Sequence, residues 1–476
     1  MRGFSPSPHP KEERVGVRRP FFNESPHPGP LPIRSSRGEG VDPFRKSILR
    51  NSIAAGSVIL CLTMESFGAD YTAHEWGTFT SVQGGDGELL SWRPLQTSEL
   101  PDFVHNWSKP GLNRYSSPVP NLGTVVSKVV LVTLQRMETP VIYFYSGENM
   151  SVDVSVDFPK GLITEWYPQA SQIGPSLPAN TNEASGALPE SRAVWKNLTV
   201  RPPHPDEHLP QDKSGSHYFA ARETSANIVQ MDLPGETNNP SESEKFIFYR
   251  GAGNFKTPLH VSVDMDNRVV VKNTGSEKLS GLFLISIHKT NNETYGAIAS
   301  AKNLAGEQSI EWPFFGRLTH NWKSYPLAEF QTAIVAQMEA ALTSEGLFPD
   351  EAKAMVNTWK DSWFTEEGDR VLYILPRVWT DETLPMTLTP KPEKLVRLMV
   401  GRAEIITPVV EMNLFQLLTK AQNGDADARL QASAQFKKLG RFAEPALQLA
   451  NHHSSQTNVM NLGFELLNNT APSKFE

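Results

Sequence analysis

The sequence predicts an α+β protein: an antiparallel β-sandwich, then a mixed α/β region, then a helical C-terminal region. Three observations predict it. Between Thr72 and Pro313, alternating or apolar runs recur at short intervals with Gly, Pro, Asn and Asp clusters between them, the mark of antiparallel sheets. Near Pro326 the apolar period changes from two to that of a helix. Residues 407–476 carry helical patterning throughout. The resulting division is 1–43 as a leading arm, 44–69 as an export signal, 70–318 as the sandwich, 319–406 as the mixed region and 407–476 as a helical cap.

Residues 1–43 are dominated by Pro, Gly, Ser and charge (PSPHPKEERVGVRRP, SPHPGPLPIRSSRGEG), with too little apolar surface to form a core. They read either as a disordered arm or as the product of a start codon placed too far upstream, with translation beginning near Val41. Arg45, Lys46 and Arg50 then lead into the uncharged run Ser52–Met64, and Ser66-Phe67-Gly68-Ala69 supplies small residues. A basic lead, an apolar run of about 7–15 residues and a small-residue exit define a secretory signal. A membrane span needs about 20 apolar residues. The expectation is export to the periplasm or cell exterior, with no transmembrane span in the mature chain.

The first strands are expected in HEWGTFTSV and GELLSWRPL around the turn Gly84-Gly85-Asp86-Gly87. SKVVLVTLQRM (127–137) and TPVIYFYS (139–146) follow, the second opened by Pro140. MSVDVSVDF (150–158) alternates cleanly, with Val152, Val154, Val156 and Phe158 on one face. Residues 168–215 read as a long polar loop around a short strand at 194–200. Strands resume at HYFAARE (217–223), EKFIFYRG (244–251), HVSVDMDNRVVVKN (260–273, turning at Asp266-Asn267), GLFLISIHKT (281–290) and QSIEWPF (308–314). Leu327, Phe330, Ile334, Met338 and Ala341 fall on one helical stripe that Gly346 ends, and a second helix starts at Pro349-Asp350 and runs to about Phe364. RVLYILPRVWT (370–380) and KLVRLMVGRAEIIT (394–407) read as strands.

Two segments carry a resemblance. VVVKNTGSEKLSGLFLI is similar to the strand–turn–strand of exported immunoglobulin-like domains, so the sandwich is expected to be immunoglobulin-like or jelly-roll-like. DARLQASAQFKKLGRFAEPALQLA (427–450) resembles a HEAT-type helix pair, with Leu439-Gly440-Arg441 at its turn. Solenoids need about three repeats to stand alone, so a docked cap is expected rather than a repeat array.

Residues 1–69 carry ten Lys and Arg against six Asp and Glu, a surplus of +4, so the rest of a chain of net charge −7 carries about −11. An acidic body disfavours nucleic acid and anionic lipid surfaces as partners. The single cysteine, Cys61, lies inside the signal, which leaves the mature chain without disulfides, thiolate metal sites or a cysteine nucleophile.

No nucleophile elbow, zinc-protease helix, Walker loop or complete dinucleotide fingerprint occurs, and no cofactor is expected. Carboxylates beside aromatics on predicted strands are the suggestive set: Glu75-Trp76, Glu165-Trp166-Tyr167 and Glu311-Trp312, with Glu138 between two apolar strands. Glycoside chemistry needs two facing carboxyl groups, and aromatic faces stack on sugar rings. Glu138, Glu75 and Glu165 are therefore the candidate catalytic residues, and His74, Trp76, Trp166, Tyr167 and Arg250 the candidate binding residues. The bland alternative packs each Trp in the core and leaves its Glu solvated. Glu138 in particular is expected either at an exposed edge or buried against Arg136 or Arg250. His74 and Glu75 are strand neighbours that face opposite sides. His204, His208 and His217 have the ligand chemistry for zinc or copper but sit in a polar, Pro-rich loop. Three functions stay open: an envelope or extracellular protein that binds glycan or protein, a secreted carboxylate-dependent glycan hydrolase, and a His-based metal-dependent enzyme.

Overall fold

The computed structural model describes residues 69–96, 100–107, 131–174, 191–233, 240–264, 268–290, 293–313, 324–452 and 457–470. The leading arm, the signal before Ala69, the turn at Asp266-Asn267 and the middle of the polar loop lie outside the described residues.

The chain opens with β1 (Ala69–Gly84), β2 (Leu89–Leu90), β3 (His105–Asn106), β4 (Gln135–Tyr145), β5 (Met150–Phe158), β6 (Gly161–Tyr167), β7 (Gln172–Gly174) and β8 (Ser191–Arg201). A 3₁₀ turn at His217–Arg222 precedes β9 (Ile228–Asp232), β10 (Ser241–Glu244), β11 (Ile247–Gly253), β12 (Leu259–Val263) and β13 (Arg268–Asn273). Then come β14 (Leu279–Thr290), β15 (Glu293–Leu304), β16 (Ser309–Pro313), β17 (Tyr325–Pro326), α1 (Leu327–Ser344), α2 (Pro349–Phe364), β18 (Gly368–Ile374) and α3 (Arg377–Thr383). The described chain closes with β19 (Met386–Thr389), β20 (Pro392–Ile406), α4 (Pro408–Gln422), α5 (Ala426–Leu439), α6 (Ala443–His452) and α7 (Thr457–Asn469). The protein is α+β, and among the described residues its sheets are antiparallel apart from one pairing. No helix among the described residues is long and apolar enough to cross a membrane.

The large sheet runs β17-β15-β14-β18-β20-β1-β4-β11-β6-β3, with β2 on the end of β1. A second sheet runs β10-β9-β8-β5-β19 with β7 on β8, and a third β12-β13-β16. The parallel pairing joins β1 to β20 in continuous register from Thr72↔Lys394 to Gly84↔Ile406. The boundary drawn at 318/319 therefore does not divide the sheet, because β18 and β20 from the mixed region lie beside β1 at its centre.

Both faces of the large sheet are covered. One face contributes Tyr71, Phe79, Ile163, Trp166 and Tyr249 to a core shared with Val152, Val154, Val156 and Trp195 of the second sheet and Val261 and Val271 of the third. The other face meets α1 and α2 at one end, where Trp76, Val141 and Val400 pack on Met338, Met355 and Trp359. At its far end Val82 and Ile406 pack on the C-terminal helices through Leu414, Leu447 and Phe442. Each such fully buried side chain contributes about 1.5–3 kcal/mol.

Three local expectations change. Pro140 does not open a strand. It lies inside β4, where Thr139 takes φ 48° and a bulge faces Gly77, since a residue without an N–H fits a bulge and breaks a regular ladder. HYFAARE forms a 3₁₀ turn because the Ser216 side chain accepts from the Tyr218 N–H and starts a turn. PRVWT leaves the strand at Pro376 and becomes α3, proline having fixed a helix-compatible φ with no donor for the ladder. The passage VVVKNTGSEKLSGLFLI is the end of β13, a turn and the start of β14, and it carries the chain from the third sheet to the large one.

Candidate functional site

The three candidate carboxylates are all at most 1 % exposed, and each is held by arginine. Alternation along the strands divides them. Glu75 faces the core shared with the smaller sheets, where Arg397 Nε donates to it at 2.6 Å and the Tyr249 hydroxyl donates to its other oxygen. Glu138 and Glu165 face the helical side. Arg250 grips Glu165 through Nε at 3.0 Å and Nη2 at 2.7 Å, from the directly paired position on β11. Glu138 lies 3.6 Å from Arg136 Nε on its own strand and accepts from Arg441 Nη1 at 3.3 Å.

The Glu138 and Glu165 contacts belong to a buried charge lattice between the two apolar zones of the helical face. On β1 that face reads Trp76, Thr78, Thr80, Val82, so the two threonines mark the gap, paired in register with Glu138 and Arg136. Across β20, Arg402 Nη2 donates to Glu366 at 2.6 Å and to Glu404 at 2.8 Å. Arg370 of β18 donates to Glu404 at 3.0 Å and to the Trp363 and Glu366 carbonyls. Arg441, from the turn after α5, closes the lattice onto Ser362 of α2 at 3.1 Å.

Electrostatics follow from this geometry. Burial by itself would raise the Glu138 carboxyl, yet the guanidinium groups of Arg136, Arg441 and Arg402 outweigh it and hold the group down, from 4.5 to about 2. Burial lowers the Arg136 guanidinium from its ordinary range to about 10, with Glu138 opposing and Arg250 and Arg441 adding to the shift. Glu366 is lowered in the same way, burial being overcome by Arg441 and Arg402. The neighbouring guanidinium groups thus favour the ionised form of Glu138, which suits it to fixing cations and not to delivering a proton.

The candidate binding residues do not converge. Trp76 and Trp166 are fully buried in separate cores, and Trp166 Nε1 donates to Gln169 at 3.0 Å. Tyr167 is buried with His105 at 6.0 Å and Phe103 at 4.9 Å. None of the three offers a ring face to a sugar in this conformation. His74 faces away from Glu75, as strand alternation requires, and its Nδ1 lies 2.7 Å from Glu351 Oε2. Glu351 also accepts from the Tyr145 hydroxyl at 2.8 Å and from the Phe348 N–H at 2.8 Å. This cluster therefore anchors the start of α2 on β1. Trp312 is buried while Glu311 is exposed. His204 is exposed, and the His217 ring packs against Trp359 at 4.8 Å, tilted by 46°. Among the described residues no three His, Cys, Asp or Glu side chains gather as a metal site.

Sequence reasoning passed over Ser286, His288 and Asp369. The Ser286 hydroxyl lies 2.6 Å from His288 Nε2 and donates to Asp369 at 2.5 Å, and the same Nε2 is 3.4 Å from that carboxylate. In an acyl-transfer triad serine and carboxylate engage opposite ring nitrogens. Here both meet one nitrogen, so the imidazole cannot relay a proton between them.

A groove of about 630 Å³ lies where α4 and α6 meet the β1–β2 turn and the end of β12. Its walls are apolar, with Val263, Met412, Phe415 and Leu449, and its acidic side chains are Asp86, Asp264 and Glu411. The size is that of a ligand or peptide site.

No family model and no curated protein matches the chain. Among solved structures it is similar to the yeast delta-COP-I mu-homology domain complexed with Dsl1 WxWxV peptide, at 8 % identity, 71 % of this chain, 96 % of that chain and a TM-score of 0.20. A second structure of the yeast delta-COP-I mu-homology domain gives 8 % identity over the same shares and a TM-score of 0.22. Likeness at that level carries no argument.

Proposed function

We propose that this is an exported envelope or extracellular protein that binds a partner, glycan or protein, and has no catalytic turnover of its own. The observation that carries the reading is the state of Glu138: buried, ionised and clamped by Arg136 and Arg441. A glycan hydrolase needs a carboxyl group that stays protonated near working pH and reaches a cleft. Among the described residues the carboxyl that burial pushes up is Glu244, itself fully buried and bonded to Arg222 and the Tyr218 hydroxyl. Export rests on the signal pattern at 44–69. It is tested by sequencing the N-terminus of the released protein, which should begin near Asp70.

The large sheet and the two smaller sheets form the layers of an immunoglobulin-like or jelly-roll-like sandwich, supported by their shared core. Helices α5 and α6, joined by the turn at Gly440, act as a HEAT-like pair within a cap that also holds α4 and α7. Sandwiches host binding and catalysis alike, so the decision belongs to a functional measurement. A polysaccharide panel is scored for binding and for reducing-end release, with the wild type beside Glu138→Gln. Binding without turnover, unchanged by the substitution, is the expected result. Turnover that Glu138→Gln abolishes would replace this reading with the hydrolase.

A further inference from the structure

Helix α4 carries two apolar stripes where a surface helix needs one. Leu414, Leu418 and Ala421 are buried against the neighbouring helices. Pro408, Met412 and Phe415, four and three residues apart on another face, line the groove instead. Met412 is 45 % exposed and Val409 beside it 39 %. The opposite wall is Leu449 from α6 and Val263 from the end of β12. Methionine on an open apolar surface adapts to varied side chains, and apolar grooves between helices commonly hold amphipathic segments.

The charges select the occupant. Asp86, Asp264 and Glu411 stand in the lining, and no Lys or Arg lines the groove among the described residues. Arg268 pairs with Asp264 at 2.8 Å from outside, and three carboxylates against this one guanidinium give a formal charge of −2. We infer that this groove docks a basic amphipathic peptide segment of a protein partner, with two or three apolar side chains seated between Met412, Phe415, Leu449 and Val263 and flanking Lys or Arg facing the carboxylates. The inference rests on the binding role proposed above and names its partner class. A second copy of the chain would bring the same acidic groove against itself, and like charges disfavour that. Anionic lipid meets the same repulsion. A glycan would find a single aromatic ring, Phe415, and few polar groups to fix its hydroxyls.

The test uses the full chain as bait for a random-peptide phage library. Selected peptides are resynthesised and their binding is measured by fluorescence anisotropy to the wild type, Met412→Glu and Met412→Leu. The expected result is enrichment of apolar anchors flanked by Lys or Arg. Met412→Glu should weaken binding about tenfold or more while Met412→Leu retains it, and Lys-to-Glu exchange in the peptide should abolish it. Circular dichroism and melting confirm that both variants fold, which the exposed position favours. Absence of enrichment, acidic consensus peptides, or peptides indifferent to Met412→Glu would overturn the inference. So would self-association of the wild type that Met412→Glu dissolves, since the groove would then be an interface between copies. Glycan binding on the polysaccharide panel without peptide enrichment overturns this inference and leaves the broader binding role standing. Silence in both removes the role as well.

Discussion

Glu138 sits next to Thr139, a β-branched residue at φ 48° inside β4, a conformation that such residues avoid at a cost of about 1–3 kcal/mol. The bulge that requires it places Gly77 against Pro140. A Cβ at Gly77 would come within 2.9 Å of both Pro140 Cα and Met399 Sδ. Gly77→Ala is therefore expected to destabilise the protein by about 1–3 kcal/mol in urea unfolding. Glu138 makes a second prediction, in acid. Its carboxyl is lowered to about 2 in the folded protein, so its contribution is fully present above about pH 4.5 and is lost as pH falls toward 2. Glu138→Gln removes the counter-charge of Arg136 and should cost about 3 kcal/mol at pH 7, with a flatter stability profile than the wild type between pH 4.5 and 2. An unchanged acid profile in the variant would mean that Glu138 is not ionised in the fold. Part of this site was readable in the sequence. Arg136 and Glu138 are two apart on a strand and so share a face. Arg441, 303 residues further on, carries no local signal that points to Glu138.

At the scale of elements, periodicity located what periodicity governs. The stripe from Leu327 and the start at Pro349-Asp350 match α1 and α2, and the alternation of MSVDVSVDF matches β5. Elements failed where a single residue overrode the pattern, as Pro376 and Ser216 did. The turn at Gly440 shows how an element positions the lattice. Gly440 has φ 54° and ψ −124°, which glycine alone adopts without strain, and the next residue is Arg441, bonded to Glu138 and Ser362. Gly440→Ala should destabilise the protein by about 2 kcal/mol. Because the turn would shift, the loss should be non-additive with Arg441→Met. A double-mutant cycle in which the two losses simply add would separate the turn from the lattice.

At the scale of the molecule, the sequence drew its boundary from a change of period, and period reports element type without naming partners. β18 and β20 are buried along most of their length, with Asp369, Arg370, Arg397, Arg402 and Glu404 buried among their apolar residues. Nothing in these strands says that β20 will lie parallel to β1, more than 300 residues earlier. The consequence is that residues 70–318 should not fold alone. Without β18 and β20, β1 loses the partner that it meets from Thr72 to Gly84, and β14 loses β18 on its inner edge. Long unpaired apolar edges then favour aggregation over folding. The 70–318 fragment is expected to be insoluble or to lack a cooperative transition, whereas the whole chain should unfold with sheet and C-terminal helices in one step. A separate, earlier melting of α4–α7 would show that the Arg441 contacts do not couple the helices to the sheet. A cooperative 70–318 fragment would show that β1 is held by β4 alone, and the parallel strand would become an accessory to a sheet already formed.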